Sequence, residues 1–199
     1  MILRTQYLER IRPFYDSELI KVITGVRRCG KSVLLKQIAV EIRAEHFDAA
    51  EPDALVFVDF DDYANRELTD PDKLYRYIKP KLSDERKTYL LFDEIQNVRN
   101  FELVVNSFNT TDNVSIFLTG SNSKLLSGEL ATRLGGRTVS FHVMPFNFRE
   151  FCCFKEDQLH PGVFEGHLDE SMLLDEYLTW GGFPLVCGQE LAESRRVVL

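Results

Sequence analysis

Residues 22–33 read VITGVRRCGKSV: a β-branched apolar run, then two glycines enclosing basic residues, then a lysine and a serine. A strand that ends at a glycine and resumes as a helix behind Gly-Lys-Ser has the parts of an anion site. Gly25 lets the chain leave the strand in a tight turn, and Gly30 lets the backbone approach a phosphate closely. Successive N–H groups then form a nest at the helix N-terminus. Gly25 to Ser32 satisfies the pattern G-x-x-x-x-G-K-[ST] in full. At average glycine usage such an octapeptide arises by chance in about one chain in a hundred of this length. Lys31 is expected to reach the β- and γ-phosphates and Ser32 to offer its hydroxyl to Mg²⁺. Val26, Arg27, Arg28, Cys29 and Val33 complete the expected lining with the two glycines. Arg27 and Arg28 also read as solvated loop residues, and Cys29 as a small filler rather than a nucleophile.

Outward from this loop the pattern alternates strand and helix. Apolar runs at 19–24, 54–60, 88–94, 114–120 and 137–143 read as five strands. Between them, 32–47 reads as a helix with Val33, Leu34, Leu35, Ile38 and Ile42 inward. Asp70-Pro71 is a helix start, with aspartate as cap and proline at the first helical position. Phe101, Val104, Val105 and Phe108 mark another helix, and a short one is expected near 123–134. Leu3, Tyr7, Leu8, Ile11 and Phe14 fall at helical spacing before the first strand. Strands apolar on both faces and separated by helices imply a parallel sheet covered on both sides, the α/β class. Past Pro145 the pattern becomes helical, so we divide the chain into a core at 1–145 and a helical extension at 146–199. The last residues, AESRRVVL, read as the middle of an element, and a further C-terminal domain is expected.

Composition limits the alternatives. With 44% hydrophobic and 28% charged residues, the 199-residue chain is of ordinary globular type. A net charge of −7 argues against a broad nucleic-acid footprint on this portion. The four cysteines form no C-x-x-C pair and the four histidines lack metal spacing, so reduced thiols in a cytoplasmic protein are expected. No apolar run approaches the roughly 18 residues a membrane helix needs, and no membrane partner is expected.

Whether a bound phosphate is also cut depends on YLLFDEIQ, 89–96. Asp93 arrives at a strand's C-terminal end, where open α/β sheets place their ligands, and is expected at Mg²⁺. Glu94 follows and is expected to orient and deprotonate a water; neighbours on a strand face opposite ways, which would separate their tasks. A third strand end carries Thr119, Ser121 and Asn122, polar groups able to report on the γ-phosphate or the water. Arg133 and Arg137 in ATRLGGR are candidates for stabilising transition-state charge, in cis or from a neighbouring subunit. That role would bring a homo-oligomer with it. Asp59, Asp61 and Asp62 read either as a solvated loop or as a polar group regulating Glu94.

In this order, GVRRCGKS, LLFDEIQ, FLTGSNS, LATRLGGR, PFNFREF and YLTWGGFP resemble prokaryotic AAA-type ATPases related to the signal-transducing STAND group. The resemblance spans nearly the whole chain. It implies a P-loop fold with sheet order 5-1-4-3-2, ATP as nucleotide, Mg²⁺, and a C-terminal domain through which a protein or nucleic-acid partner would be met. Residue by residue, it implies Lys31 and Ser32 at phosphate and metal, Asp93 at metal, Glu94 at water, Ser121 or Asn122 as sensor, and Arg137 in an arginine role.

The leading expectation is an ATP-hydrolysing switch or motor module. A P-loop kinase of a small molecule is one rival, disfavoured by a glutamate directly behind the metal aspartate. A module that binds nucleotide without hydrolysing it is another. A DNA-handling ATPase would need a basic surface that these residues lack.

Overall fold

The computed structural model describes residues 2–46, 54–110, 113–121, 132–158, 169–189 and 194. Five parallel strands, β1 (Ile20–Thr24), β2 (Leu55–Asp59), β3 (Thr88–Asp93), β4 (Val114–Gly120) and β5 (Thr138–His142), lie in the order β2-β3-β4-β1-β5. This is the expected order, 5-1-4-3-2, viewed from the other edge.

The period of two along each strand sorts its side chains between two cores. Ile20, Val22, Leu90, Phe92, Ile116 and Leu118 face one core, which α3 (Pro71–Ile78) and α4 (Phe101–Asn109) cover. Ile23, Tyr89, Leu91, Phe117 and Phe141 face the other, beneath α1 (Thr5–Ile11) and α2 (Lys31–His46). Apolar residues at every position of a central strand are thus the signature of burial on both faces. As the sequence indicates, the Asp70 carboxylate caps α3 by accepting from the Asp72 and Lys73 amides.

Two positions depart from the expected pattern. Leu3 lies ahead of α1 and is exposed, because the helix begins only at Thr5. Val33 is exposed as well: the inward stripe of α2 is Leu34, Leu35, Ile38 and Ile42, together with the polar Gln37. Of the short helix expected at 123–134, Thr132, Arg133 and Leu134 are described: the first two are helical and Leu134 forms the turn that follows.

Lys21 sits fully buried within β1. Its ammonium donates to the Ser17 carbonyl (2.9 Å) and Ser115 hydroxyl (2.8 Å) and lies 4.7 Å from the centre of the Phe117 ring. Burial, helped by nearby Lys87 and opposed by Asp16, pushes it down to about 7. In the unfolded chain this lysine keeps its proton to about pH 10.4, so above pH 7 the unfolded state binds more protons and stability rises with pH. Lys21→Met should flatten that rise between pH 7 and 9 in urea titrations. Equal slopes in wild type and variant would show that the buried lysine does not titrate in this window.

Beyond β5, α5 (Phe148–Gln158), α6 (Glu170–Trp180) and the short α7 (Pro184–Cys187) build a third core from Phe146, Phe151, Leu173 and Cys187. Asn147 and Glu150 form a capping box at the start of α5, each side chain accepting from the other's amide (2.9 and 3.0 Å). The Gly-Gly-Phe turn before α7 docks on Phe146: the Phe146 amide donates to the Gly182 carbonyl at 2.8 Å. A Cβ on Gly182 would lie 2.0 Å from the Phe146 oxygen, so no larger residue fits there.

Candidate functional site

The loop between β1 and α2 is held open by backbone conformations that favour glycine. Gly25 has φ +150° and Gly30 φ +103°, and a Cβ on Gly25 would lie 2.2 Å from the Val143 carbonyl oxygen. Arg28 adopts φ +67°, an uncommon conformation for a residue with a side chain. Val26, Arg27 and Arg28 are exposed, whereas Cys29 is buried beneath the loop, and burial pushes its thiol up. Filler is the role its position supports.

Lys31 is the first residue of α2 and is only 3% exposed. Its ammonium donates to the Gly25 (3.2 Å) and Val26 (3.1 Å) carbonyls and lies 3.8 Å from a Glu94 carboxylate oxygen. Ser32 follows, in side-chain hydrogen bond with Asp93. Asp93 ends β3 fully buried, and its Oδ1 also accepts from the Thr119 hydroxyl. Burial pushes the Asp93 carboxyl up, and those two hydrogen bonds oppose the shift. A hydroxyl and a carboxylate in contact are hard oxygen ligands that fit Mg²⁺ shared with phosphates, which needs one or two protein ligands.

Glu94 corrects a sequence expectation. It is not the last residue of β3 but lies just beyond it, at φ +53°, ψ +49°, ahead of a 3₁₀ turn at Ile95–Asn97. That left-handed residue, not the pleat of a strand, separates Glu94 from Asp93. Glu94 Oε2 accepts from the Ser121 hydroxyl (3.1 Å) and the Gln96 amide, and the Glu94 amide donates to Thr119 Oγ1 at 3.0 Å. Three strand ends therefore converge: β1 through Lys31 and Ser32, β3 through Asp93 and Glu94, β4 through Thr119 and Ser121. Asn122 lies outside the described residues.

The remaining acids and the arginines are placed elsewhere. Asp59 pairs with Asp93 across β2 and β3, but Asp61 accepts from Asn97 (2.8 Å) and Asp62 caps the following turn through the Ala64 amide. Arg133 is ion-paired with Glu102 of α4 at 2.7 Å and is 63% exposed. The carbonyl of Arg137 accepts from the Ile20 amide (2.8 Å), at the opposite end of β1 from the loop. Five residues of strand put roughly 16 Å between them, beyond the reach of an arginine side chain. An in-cis role for Arg137 is thereby removed.

Several neighbours of the loop carry no sequence motif. A cavity of about 350 Å³ opens beside Gly30, Lys31, Ser32 and Val33, walled by Ile2, Phe146, Phe154, Pro184 and Leu185. A larger groove of about 800 Å³ between α1 and α5 is bordered by Glu9, Glu150, Glu156 and Asp157, whose charge disfavours a phosphate. Arg4, 1% exposed, lines the smaller cavity and donates to the Cys29 carbonyl. The one legible hint was Gln37, a polar residue on the inward face of α2, which accepts from the Arg4 amide (3.0 Å) and donates to the Ile2 carbonyl (2.6 Å).

Residues 17–152 match the family model described as AAA domain. An uncharacterised protein of Haemophilus influenzae is 36% identical over 94% of this chain, which spans 44% of that relative. One from Methanocaldococcus jannaschii is 38% identical over 83% of the chain, which spans 35% of it. The chain thus covers less than half the length of either relative. Among solved structures, AMPPCP-bound DnaA from Aquifex aeolicus matches all of the chain over 61% of its own length, with TM-score 0.57 and 18% identity. The Aeropyrum pernix ORC1 protein in complex with DNA matches 99% of the chain over 64% of its own, with TM-score 0.60 and 13% identity.

Proposed function

The chain belongs to the AAA domain family, and from that premise we propose that it is an ATP-binding and ATP-hydrolysing switch or motor module that works on Mg-ATP. The observation that carries this reading is the convergence of Lys31 (3.8 Å) and the Ser121 hydroxyl (3.1 Å) on the Glu94 carboxylate at the C-terminal edge of the sheet. The loop amides and Lys31 bind the phosphates, and the apolar cavity beside them takes the base between Ile2, Phe146, Phe154, Pro184 and Leu185. Ser32 and Asp93 hold Mg²⁺, which supplies charge neutralisation on the phosphates. Glu94 takes the proton of the attacking water, while Ser121, and Asn122 beside it, sense the γ-phosphate.

Lys31 now leans on its own loop carbonyls and toward Glu94, so phosphate oxygens compete for an ammonium already shared. When Lys31 turns to the phosphate, the Glu94 carboxylate is released from that contact and is open to the attacking water. Arg137, too far to act within its own chain, serves a neighbouring subunit, and the partner or output is reached through the part of the protein beyond these residues. The free cysteines suit a cytoplasmic site of action, and among the described residues no helix is long and apolar enough to cross a membrane.

The test is phosphate release from Mg-ATP by the full-length protein across a hundredfold range of concentration. Turnover per chain should rise with concentration, as an arginine supplied in trans requires. ATP binding with no turnover at any concentration would favour the non-hydrolysing module. Label moving to a small-molecule acceptor without free phosphate would favour the kinase.

A further inference from the structure

Arg4 is a buried charge that the proposed chemistry does not use. Its guanidinium projects three ways: Nη1 to the Cys29 carbonyl (3.1 Å), Nη2 to the Met144 carbonyl (2.7 Å) and Nε to Glu150 Oε1 (2.9 Å). The rings of Tyr7 and Phe146 lie 4.7 and 5.3 Å from its central carbon. A guanidinium out of water needs such partners, and only the planar fork of arginine meets three in fixed directions. These partners belong to separate parts of the molecule: the phosphate loop, the link after β5, and the first turn of α5.

The contact with Cys29 has a consequence for anion binding. The Cys29–Gly30 peptide is planar and trans, so its carbonyl and the Gly30 N–H point opposite ways. Whatever anchors the carbonyl aims the N–H. The close fit is mutual, since a Cβ on Gly30 would stand 3.1 Å from Arg4 Nη1. Glu150 is in turn fixed to α5, because its second oxygen accepts from the Asn147 amide at 3.0 Å.

We propose that Arg4 is a positioning residue for the phosphate loop: it aims the Gly30 N–H by holding the Cys29 carbonyl, and through Glu150 it ties that aim to the placement of α5. The inference rests on the nucleotide reading above and adds to it a coupling between phosphate and the C-terminal helices. Coupling is reciprocal, so phosphate at the loop must also steady α5.

Binding of Mg-ATP and of inorganic triphosphate with Mg²⁺ is measured by calorimetry on the full chain for wild type, Arg4→Met and Arg4→Lys. Loss of a charged hydrogen bond should weaken both ligands about tenfold to a hundredfold in Arg4→Met, with Arg4→Lys in between. A loss confined to ATP would overturn the proposal, making Arg4 a wall of the base cavity. Unchanged affinity for both would overturn it too. In wild type, triphosphate should slow amide hydrogen exchange across Phe148–Gln158 several-fold; no slowing would remove the link to α5. Should Arg4→Met fail to fold, Arg4→Lys with wild-type affinity for triphosphate overturns the proposal by itself. If the wild-type protein binds neither ligand, the nucleotide reading has failed and this inference falls with it.

Discussion

Lys31→Ala should weaken Mg-ATP binding by at least about a hundredfold, since truncating one member of a desolvated charge pair costs that much or more. The ammonium is 3% exposed at the first turn of α2, so on the proposed reading it would meet the β- and γ-phosphates in a site shielded from water. Arg27 and Arg28 are exposed, so neither offers a desolvated charge in place of Lys31, although Arg28 borders the adjoining cavity. The change also strips a donor from the Gly25 and Val26 carbonyls, so a change in loop shape has to be separated from loss of charge. Lys31→Met keeps the apolar stem and should lose as much affinity as alanine. Calorimetric titration beside a thermal melt reads both effects. Unchanged affinity with an unchanged melting temperature would remove the phosphate-loop reading. Chelating magnesium should weaken ATP binding more than ADP binding, because a metal held by Ser32 and Asp93 would neutralise charge on the terminal phosphate that ADP lacks.

The sequence made the sheet legible because burial on both faces leaves long apolar runs that no other element needs. Leu90, Leu91 and Phe92 could be nothing but a central strand, and the loop after Thr24 follows from its two glycines. Order within the sheet came with the family resemblance. What stayed hidden depends on contacts distant in sequence. Arg4 has no neighbour in the chain that marks it as buried; its partners are Cys29, Met144 and Glu150. The distance of Arg137 from the loop was within reach of the sequence, since Arg137 opens the fifth strand of a parallel sheet, and the pairing of Ile20 with Thr138 places that end opposite the loop. Glu94 was found as a residue but misplaced as a conformation. Glutamate is not a residue that favours φ > 0, and the turn is fixed instead by Thr119 and Ser121 on the neighbouring strand end. A buried lysine at position 21 was likewise invisible inside a run that otherwise reads as apolar strand.

The placement of Glu94 changes the grounds for dividing labour between the two acids but keeps the division. Asp93 is buried and in contact with the Ser32 and Thr119 hydroxyls, so it would share a metal held by Ser32. Glu94 is turned by its left-handed backbone toward Lys31 and Ser121, the side where a terminal phosphate would meet water on the proposed reading. Glu94→Gln keeps the size and can still accept from Gln96 and Ser121, but it cannot take a proton. Single-turnover hydrolysis should fall by about a hundredfold to ten-thousandfold, the usual cost of losing a general base. Binding should persist or tighten, since Lys31 is released from its ion pair, and the variant should hold ATP uncut. Asp93→Asn should behave differently, weakening magnesium-dependent binding before any rate is considered. If Glu94→Gln hydrolyses ATP as wild type does, the base lies elsewhere. The role would then pass to the acids after β2, among which Asp59, whose Oδ1 accepts from the Asp61 amide (2.9 Å), lies level with Asp93 on the neighbouring strand.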